Sequence, residues 1–237
     1  MTQFSNSTHD EDKPEDIKVG KGFALHTLKF PYRRFLDKVA VRLQGIHPDV
    51  ISFTAFVVAL VTGYVYWRLS VHPIFLIVCI FLIILRMTLN TLDGLIALKI
   101  GRTSMIGEMV NALPDRYADM FLVAGIALSP LCNTLLGMVA AINVLLVSYT
   151  GMLGKAIGVS WQHHGPLDKV DRLFLIIAAT AAQYVIMRMN GSFIMVWGHT
   201  FTAFDLCMII FIILGQITVI LRVRGMVEEI HANEGSQ

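Results

Sequence analysis

The feature that most limits what this chain can become is a series of long apolar runs separated by short polar breaks. Six of them lie near 49–68, 73–92, 107–128, 131–153, 169–188 and 201–223. Each approaches the roughly 20 residues a helix needs to cross a hydrocarbon core. Lipid offers no partner for backbone N–H and C=O groups, so such runs must close their hydrogen bonds internally, as helices. His47-Pro48, His72-Pro73, Ser129-Pro130 and Asn190-Gly191 supply boundary and turn signals between them. Composition agrees: 55% of residues are hydrophobic and 15% charged, which excludes an ordinary soluble domain. Cys79, Cys132 and Cys207 all fall in apolar runs without a CxxC pair. They read as small hydrophobes rather than a disulfide framework or a zinc site. The expected fold is an all-α integral membrane protein, six transmembrane helices preceded by an amphipathic interfacial helix.

The segments outside the runs set the organisation. Residues 1–17 are polar, acidic and proline-containing, the composition of a disordered tail, and hold no apolar core of the signal-peptide kind. Residues 18–46 interleave Phe23, Leu25, Leu28, Phe35, Leu36, Val39 and Leu43 with Lys21, Lys29, Arg33, Arg34, Lys38 and Arg42. That pattern predicts a basic amphipathic helix on an anionic membrane surface, broken at Pro31. A solvated helix docked on a soluble partner is the alternative. The transmembrane domain is expected over 47–225 and a cytoplasmic tail over 226–237. Lys and Arg collect in the N-terminal region, at Lys99 and Arg102, at Lys155, Lys169 and Arg172, and at Arg222 and Arg224. With an even number of spans these share one face, and the positive-inside rule makes it cytoplasmic. Both termini are therefore expected in the cytoplasm, and a bacterial inner membrane is the expected setting.

Between the second and third runs, residues 90–119 interrupt the apolar pattern with Asp93, Glu108, Asp115, Asp119, Lys99, Arg102 and Arg116. Ionisable groups at the edge of hydrocarbon are costly, and where a chain keeps them they commonly line a cavity or a pathway. The spacing sharpens this. If both flanks are helical, Asn90 and Asp93 share a face of the first helix. Asn111, Asp115 and Asp119 recur at four-residue steps along one face of the second. Gly94 and Gly107 beside those faces permit close approach of a backbone or a ligand. Arg86, four residues ahead of Asn90, faces the cavity or snorkels. A polar pocket between two helix ends, on the basic side of the membrane, is the expected arrangement.

Residues 90–115 read Asn90-x-x-Asp93-Gly94-x-x-Ala97-Leu98, eight further residues, then Gly107-x-x-x-Asn111-x-x-x-Asp115. This resembles the signature of the CDP-alcohol phosphatidyltransferase family, D-x-x-D-G-x-x-A-R and, after a short gap, G-x-x-x-D-x-x-x-D. The second and fourth acidic positions, both glycines and the alanine match. Asn90 and Asn111 stand at the first and third acidic positions, and Leu98, followed by Lys99, replaces the arginine.

The resemblance implies a transferase of phospholipid synthesis. Such an enzyme moves a phosphatidyl group from CDP-diacylglycerol, or another CDP-alcohol, to a small hydroxylated acceptor and releases CMP. It implies Mg2+ or Mn2+, hard cations that take oxygen ligands and neutralise phosphate charge. Carried over by position, Asp93 and Asp115 are metal ligands, and Asn90 and Asn111 stand where two further ligands belong. Asp119 is a candidate to compensate for the missing carboxylates, as is Glu108. Asp115 is also the expected general base. Gly94, Ala97, Lys99, Arg102, Thr103, Ser104 and Gly107 would receive the CDP moiety. Lys169, Arg172 and Arg116 would meet the acceptor's phosphate or polar head. Membrane lipids complete the expected partners, and a homodimer is compatible with the family.

Several alternatives stay open at the level of sequence. An amide offers a carbonyl oxygen but no charge, so the two asparagines leave three outcomes: a variant two-metal site, a one-metal site completed by substrate phosphates, or an inactive relative. A silent relative that binds lipid or nucleotide, or scaffolds a partner, competes with the enzyme; a small transporter is a third class. Asp119 has a structural alternative in pairing with Arg116 or another helix. Lys99 and Arg102 have one as topological charge, and Lys169 and Arg172 as interfacial anchors. The His163-His164 pair reads as a wet loop. No G-x-G-x-x-G or GK[ST] pattern is present, and nothing supports nucleic-acid binding.

Overall fold

A computed structural model describes residues 36, 39–42, 47–100, 105–160, 165–189, 191, 193–196 and 199–234, with side chains except at 69, 97–100, 105–111, 194, 196 and 199. The acidic tail and most of the expected interfacial helix fall outside these residues, as do Arg102, Thr103, Ser104 and the His163-His164 pair. Residues 36 and 39–42 are helical, and Leu36 and Ala40 are buried against Ile51, Leu92, Leu95 and Ile96.

Six long helices follow: α1 (Pro48–Leu69), α2 (Pro73–Ile100), α3 (Met105–Ala127), α4 (Thr134–Ala156), α5 (Lys169–Met189) and α6 (Ala203–Glu234). Five of them, all but α3, are long and apolar enough to cross a membrane. The charged residues that interrupt the third run set α3 apart. Their large exposed apolar side chains, among them Phe53, Phe81, Leu135 and Ile142, form a surface suited to lipid rather than water. The helix starts follow local chemistry. Pro48 opens α1 behind the His47 cap. The Asn133 side chain caps α4 by accepting from the N–H groups of Leu135 and Leu136.

α1 packs against α2 and α3, α4 against α3 and α6, and α5 against α2 and α6. The α1–α3 contact is close because Gly63 and Gly125 meet there: a Cβ on Gly125 would run into the Gly63 backbone. Small residues of this kind let spanning helices approach without a hydrophobic driving force between them. Deep in the bundle, the Tyr66 hydroxyl and Thr180 Oγ1 lie 2.6 Å apart, and the Tyr66 ring meets Phe204 edge-on with centroids 5.6 Å apart.

Two features differ from the run boundaries expected above. α2 does not stop near residue 92 but continues through the motif to Ile100, and α6 continues unbroken through residues 226–234. A short antiparallel hairpin, β1 (Ile194–Val196) with β2 (His199–Phe201), precedes α6 and pairs Ile194 with Phe201. Beside it, Asp205 accepts from the N–H groups of Asn133 (2.6 Å) and Thr202 (2.9 Å). Gln183 Oε1 accepts from Ala203 N–H. These bonds tie α4, α5 and α6 together at the end of the bundle away from the motif.

Candidate active site

The second half of α2 and the first half of α3 carry the polar residues, and α1, α5 and α6 bring partners to them. Asp93 on α2 is buried, 4% exposed. Its Oδ2 accepts from the Ser52 hydroxyl of α1 at 2.7 Å and its Oδ1 from the Gly94 N–H at 2.6 Å. A Cβ built on Gly94 would meet nothing within 4 Å, so open space lies next to this carboxylate among the described residues. Asp115 on α3 interacts electrostatically with Asp93, as does Lys169. Asp115 Oδ1 accepts from the Asn90 amide at 3.1 Å, and Oδ2 takes the ammonium of Lys169 from the start of α5. The Asp115 and Lys169 side chains remain 21% and 26% exposed. This half of the site opens toward solvent.

One turn further along α3 the setting changes. Asp119 is buried and sends Oδ1 to Arg86 of α2 at 2.7 Å and Oδ2 to Arg172 of α5 at 2.6 Å. All three side chains are almost fully enclosed, and Nε and Nη1 of Arg86 have no hydrogen-bond partner among the described residues. The triad carries one net positive charge and stitches three helices together. Asp119 and Arg172 also border a narrow crevice lined by Leu122, Val144, Ile176 and Phe211.

The sequence therefore placed Asn90, Asp93 and Asp115 in one cluster, and the structure brings these three side chains together with Lys169. Asp119 and Arg172, expected at the metal and the acceptor, pair with each other, and Asp119 also with Arg86. Arg116 is partly exposed, and its Nε lacks a partner among the described residues. For Ala97, Lys99, Gly107, Glu108 and Asn111 only the helical backbone is described. Two residues were missed. Ser52 carried no signal, being one serine near the start of a span. Arg222 was counted only as a topological charge, yet it is buried on α6. It donates to the Val147 carbonyl of α4 and lies 3.8 Å from Asp168. The charges of Arg172 and Arg116 also act on it. Its position inside the end of the last apolar run was the signal available.

An oxygen-only pair such as Asp93 and Asp115 suits a hard divalent cation, since Mg2+ commonly takes one or two carboxylates plus substrate phosphates and water. Each of their four oxygens accepts one hydrogen bond and keeps a further lone pair. Among the described residues no group of three or more His, Cys, Asp or Glu could hold a metal. Among the described residues the protein side of such a site is two carboxylates. Asp119, between two guanidinium groups, does not fit as a ligand.

No family model matches the chain. The archaetidylinositol phosphate synthase of Methanothermobacter thermautotrophicus is 28% identical over 156 residues, 65% of this chain and 75% of the relative. The phosphatidylinositol phosphate synthase of Streptomyces avermitilis is 28% identical over 177 residues, 68% of this chain and 65% of the relative. Among solved structures, the Mycobacterium tuberculosis phosphatidylinositol phosphate synthase PgsA1 with CDP-DAG bound superposes with a TM-score of 0.63 at 17% identity, covering 81% of this chain and 94% of that one. The same protein with manganese and citrate gives 0.59 at 18% identity, covering 83% and 87%. In its helical fold this chain is similar to PgsA1, and in sequence, at 28% identity, to the inositol phosphate lipid synthases named above.

Proposed function

We propose that the chain transfers a phosphatidyl group from CDP-diacylglycerol, or a closely related CDP-alcohol, to a small hydroxylated acceptor and releases CMP. The observation that carries this reading is the cluster at one charged end of an otherwise apolar bundle, where Asp115 of α3 is held by Asn90 of α2 and Lys169 of α5 and Asp93 lies within electrostatic reach. The open space beside Gly94 supports it. So do the relatives and the CDP-DAG-bound structure with the same fold.

In the step itself the acceptor oxygen bonds to the lipid phosphorus, the bond from that phosphorus to the CMP oxygen breaks, and the hydroxyl proton must go to a base. Asp115 takes it. Asn90 and Lys169 each occupy one lone pair of its carboxylate and fix its orientation, which leaves a lone pair on either oxygen to receive the proton. Asp93, steadied by Ser52 and Gly94, faces the donor pyrophosphate. A bound Mg2+ or Mn2+, held by Asp93 and Asp115, would neutralise charge on the bridging and leaving oxygens. The CDP moiety is received by Gly94, Ala97, Lys99, Arg102, Thr103, Ser104 and Gly107.

Cations and acids alternate on the α5–α6 side of the site, where Asp171 also lies in the first turn of α5. Lys169, Arg116, Arg172 and Arg222 lie among Asp115, Asp119, Asp168 and Asp171, and Arg86 shares Asp119 with Arg172. The relatives named as inositol phosphate lipid synthases support an anionic acceptor, a phosphorylated polyol rather than a neutral alcohol, for which these Lys and Arg side chains are suitable partners. The basic segments favour a cytoplasmic location for this end and for both termini, where a nucleotide-linked substrate would be met.

The test is CMP release from cytidine-labelled CDP-diacylglycerol by the purified protein in lipid nanodiscs, with Mg2+ or Mn2+ and a panel of polyols and polyol phosphates. Release that requires an acceptor is the expected result. The second reading, a silent relative, is favoured by the Asn90 amide turned toward Asp115. It prevails if the native chain releases no CMP with any acceptor while the double variant Asn90→Asp, Asn111→Asp does.

A further inference from the structure

We infer that Thr218 of α6 is a positioning residue for Lys169: it fixes the chain at Gly165 and Leu167 and so sets where the first turn of α5 presents that ammonium. The inference rests on the assignment of Lys169 to the acceptor in the proposed transfer. It adds an uncharged residue that has no part in the carboxylate cluster.

Thr218 is fully buried. Its hydroxyl donates to the Leu214 carbonyl of its own helix at 2.8 Å. That leaves its lone pairs to accept, and the Leu167 N–H reaches them at 3.1 Å. The rest of the side chain is pressed against Gly165. A Cβ there would come within 2.4 Å of the Thr218 γ-methyl carbon and 2.8 Å of its Oγ1. Gly165 also has φ +121°, a conformation glycine adopts at no steric cost. A β-branched side chain has few rotamers to retreat into, so Thr218 is a stiff support under the chain that leads into α5.

Thr218 shares a face of α6 with Arg222, Met226 and Glu229, at steps of four, four and three residues, and this face holds the α4–α5 connection at other points too. Glu229 accepts from the N–H and the hydroxyl of Ser160 at 2.7 and 2.6 Å. Arg222 lies 3.8 Å from Asp168. These ties differ in what they fix. Ser160 is nine residues from Lys169, too far along the chain to set its place. Asp168 is adjacent, but its ion pair is long and its side chain 44% exposed, so solvent weakens it. Leu167 is two residues away and fully buried. Its bond to Thr218 is therefore the tie that governs where α5, which begins at Lys169, starts. Without that acceptor the buried N–H must move to find another, and the first turn of α5 moves with it. Small displacements of a binding group weaken its hold on a substrate well before they unfold a helix bundle.

The test separates placement from stability. The full chain in lipid nanodiscs is compared with Thr218→Val, which keeps the shape and loses the hydroxyl, and with Thr218→Ser, which keeps the hydroxyl and loses the methyl. Thermal melts show that both are folded. In CMP release with the acceptor that reacts fastest, Thr218→Val should raise the acceptor KM on the order of tenfold, the weight of one hydrogen bond. Its kcat and its KM for CDP-diacylglycerol should be unchanged, and Thr218→Ser should behave as the native chain. In acetylation of lysines read by mass spectrometry without substrate, Lys169 should react faster in Thr218→Val than in the native chain or Thr218→Ser, with Lys155 as the unchanged reference. A folded Thr218→Val with native acceptor KM or native Lys169 reactivity would overturn the inference, as would a Thr218→Ser that matches it. The outcome is separable from the functional proposal. CMP release with an unchanged acceptor KM in Thr218→Val would sink this inference alone. Faster Lys169 labelling in that variant, with no CMP release from the native chain under any acceptor, would uphold the placement and sink the transferase.

Discussion

The two ends of the bundle handle acidic residues in opposite ways. Near the hairpin, Asp205 is buried and both its oxygens accept from backbone N–H groups, those of Asn133 and Thr202. Those donors belong to the chain path, so the carboxylate is fixed by the fold and serves to hold α4 and α6 together. At the other end Asp115 is held by the side chains of Asn90 and Lys169 and remains partly exposed. Side-chain donors can rotate away and be replaced by a substrate. Asp119 stands between these cases: its partners are side chains, yet Arg86 and Arg172 are buried with it. An acid's role in this protein follows from whether its partners can leave.

That contrast predicts which substitutions damage chemistry and which damage the fold. The largest effect is expected from Asp115→Asn. Loss of a positioned general base should lower CMP release on the order of 10²- to 10⁴-fold with little change in melting temperature; a parallel collapse of stability would place Asp115 with Asp205 and break the comparison. Asp119→Ala leaves two buried guanidinium groups unpaired and should cost about 3–5 kcal/mol. Thermal unfolding in nanodiscs checks this, and the triple change Arg86→Met, Asp119→Leu, Arg172→Met should recover most of the loss. If the triple variant is no better than the single one, the triad does more than hold helices. Asp205→Ala removes an anionic acceptor from two backbone donors, and a loss of about 1.5–3 kcal/mol is expected. CMP release per folded molecule should be unchanged. Ser52→Ala is the mildest. It removes one hydrogen bond to Asp93, worth about 0.5–1.5 kcal/mol, so the melting temperature should fall by only a few degrees while Mn2+ affinity changes.

Much of this was legible in the chain itself. Run length and lipid's lack of hydrogen-bond partners dictated helices, and the fixed offsets of Asp93, Gly94, Ala97, Gly107 and Asp115 pointed to the family. Local spacing also put Asn90 beside Asp93 and Asp115 beside Asp119. What it could not show was which helix each face meets. Asp119 pairs with residues 33 and 53 positions away, so its triad depends on three helices converging, and no single-helix pattern encodes that. For the same reason neither the pairing of Arg172 with Asp119 nor the burial of Arg222 against α4 was legible. The hairpin before α6 was missed because Asn190-Gly191 reads as a simple break; the β-favouring Phe193, Ile194, Val196, Thr200 and Phe201 were the available hint.

The most direct measurement is anomalous scattering from crystals of the protein grown with Mn2+ and CDP-diacylglycerol. A manganese peak at the Asp93 and Asp115 carboxylates, in contact with the pyrophosphate, is the predicted result. Manganese bound away from both, or the nucleotide seated near the hairpin and Asp205, would contradict the account.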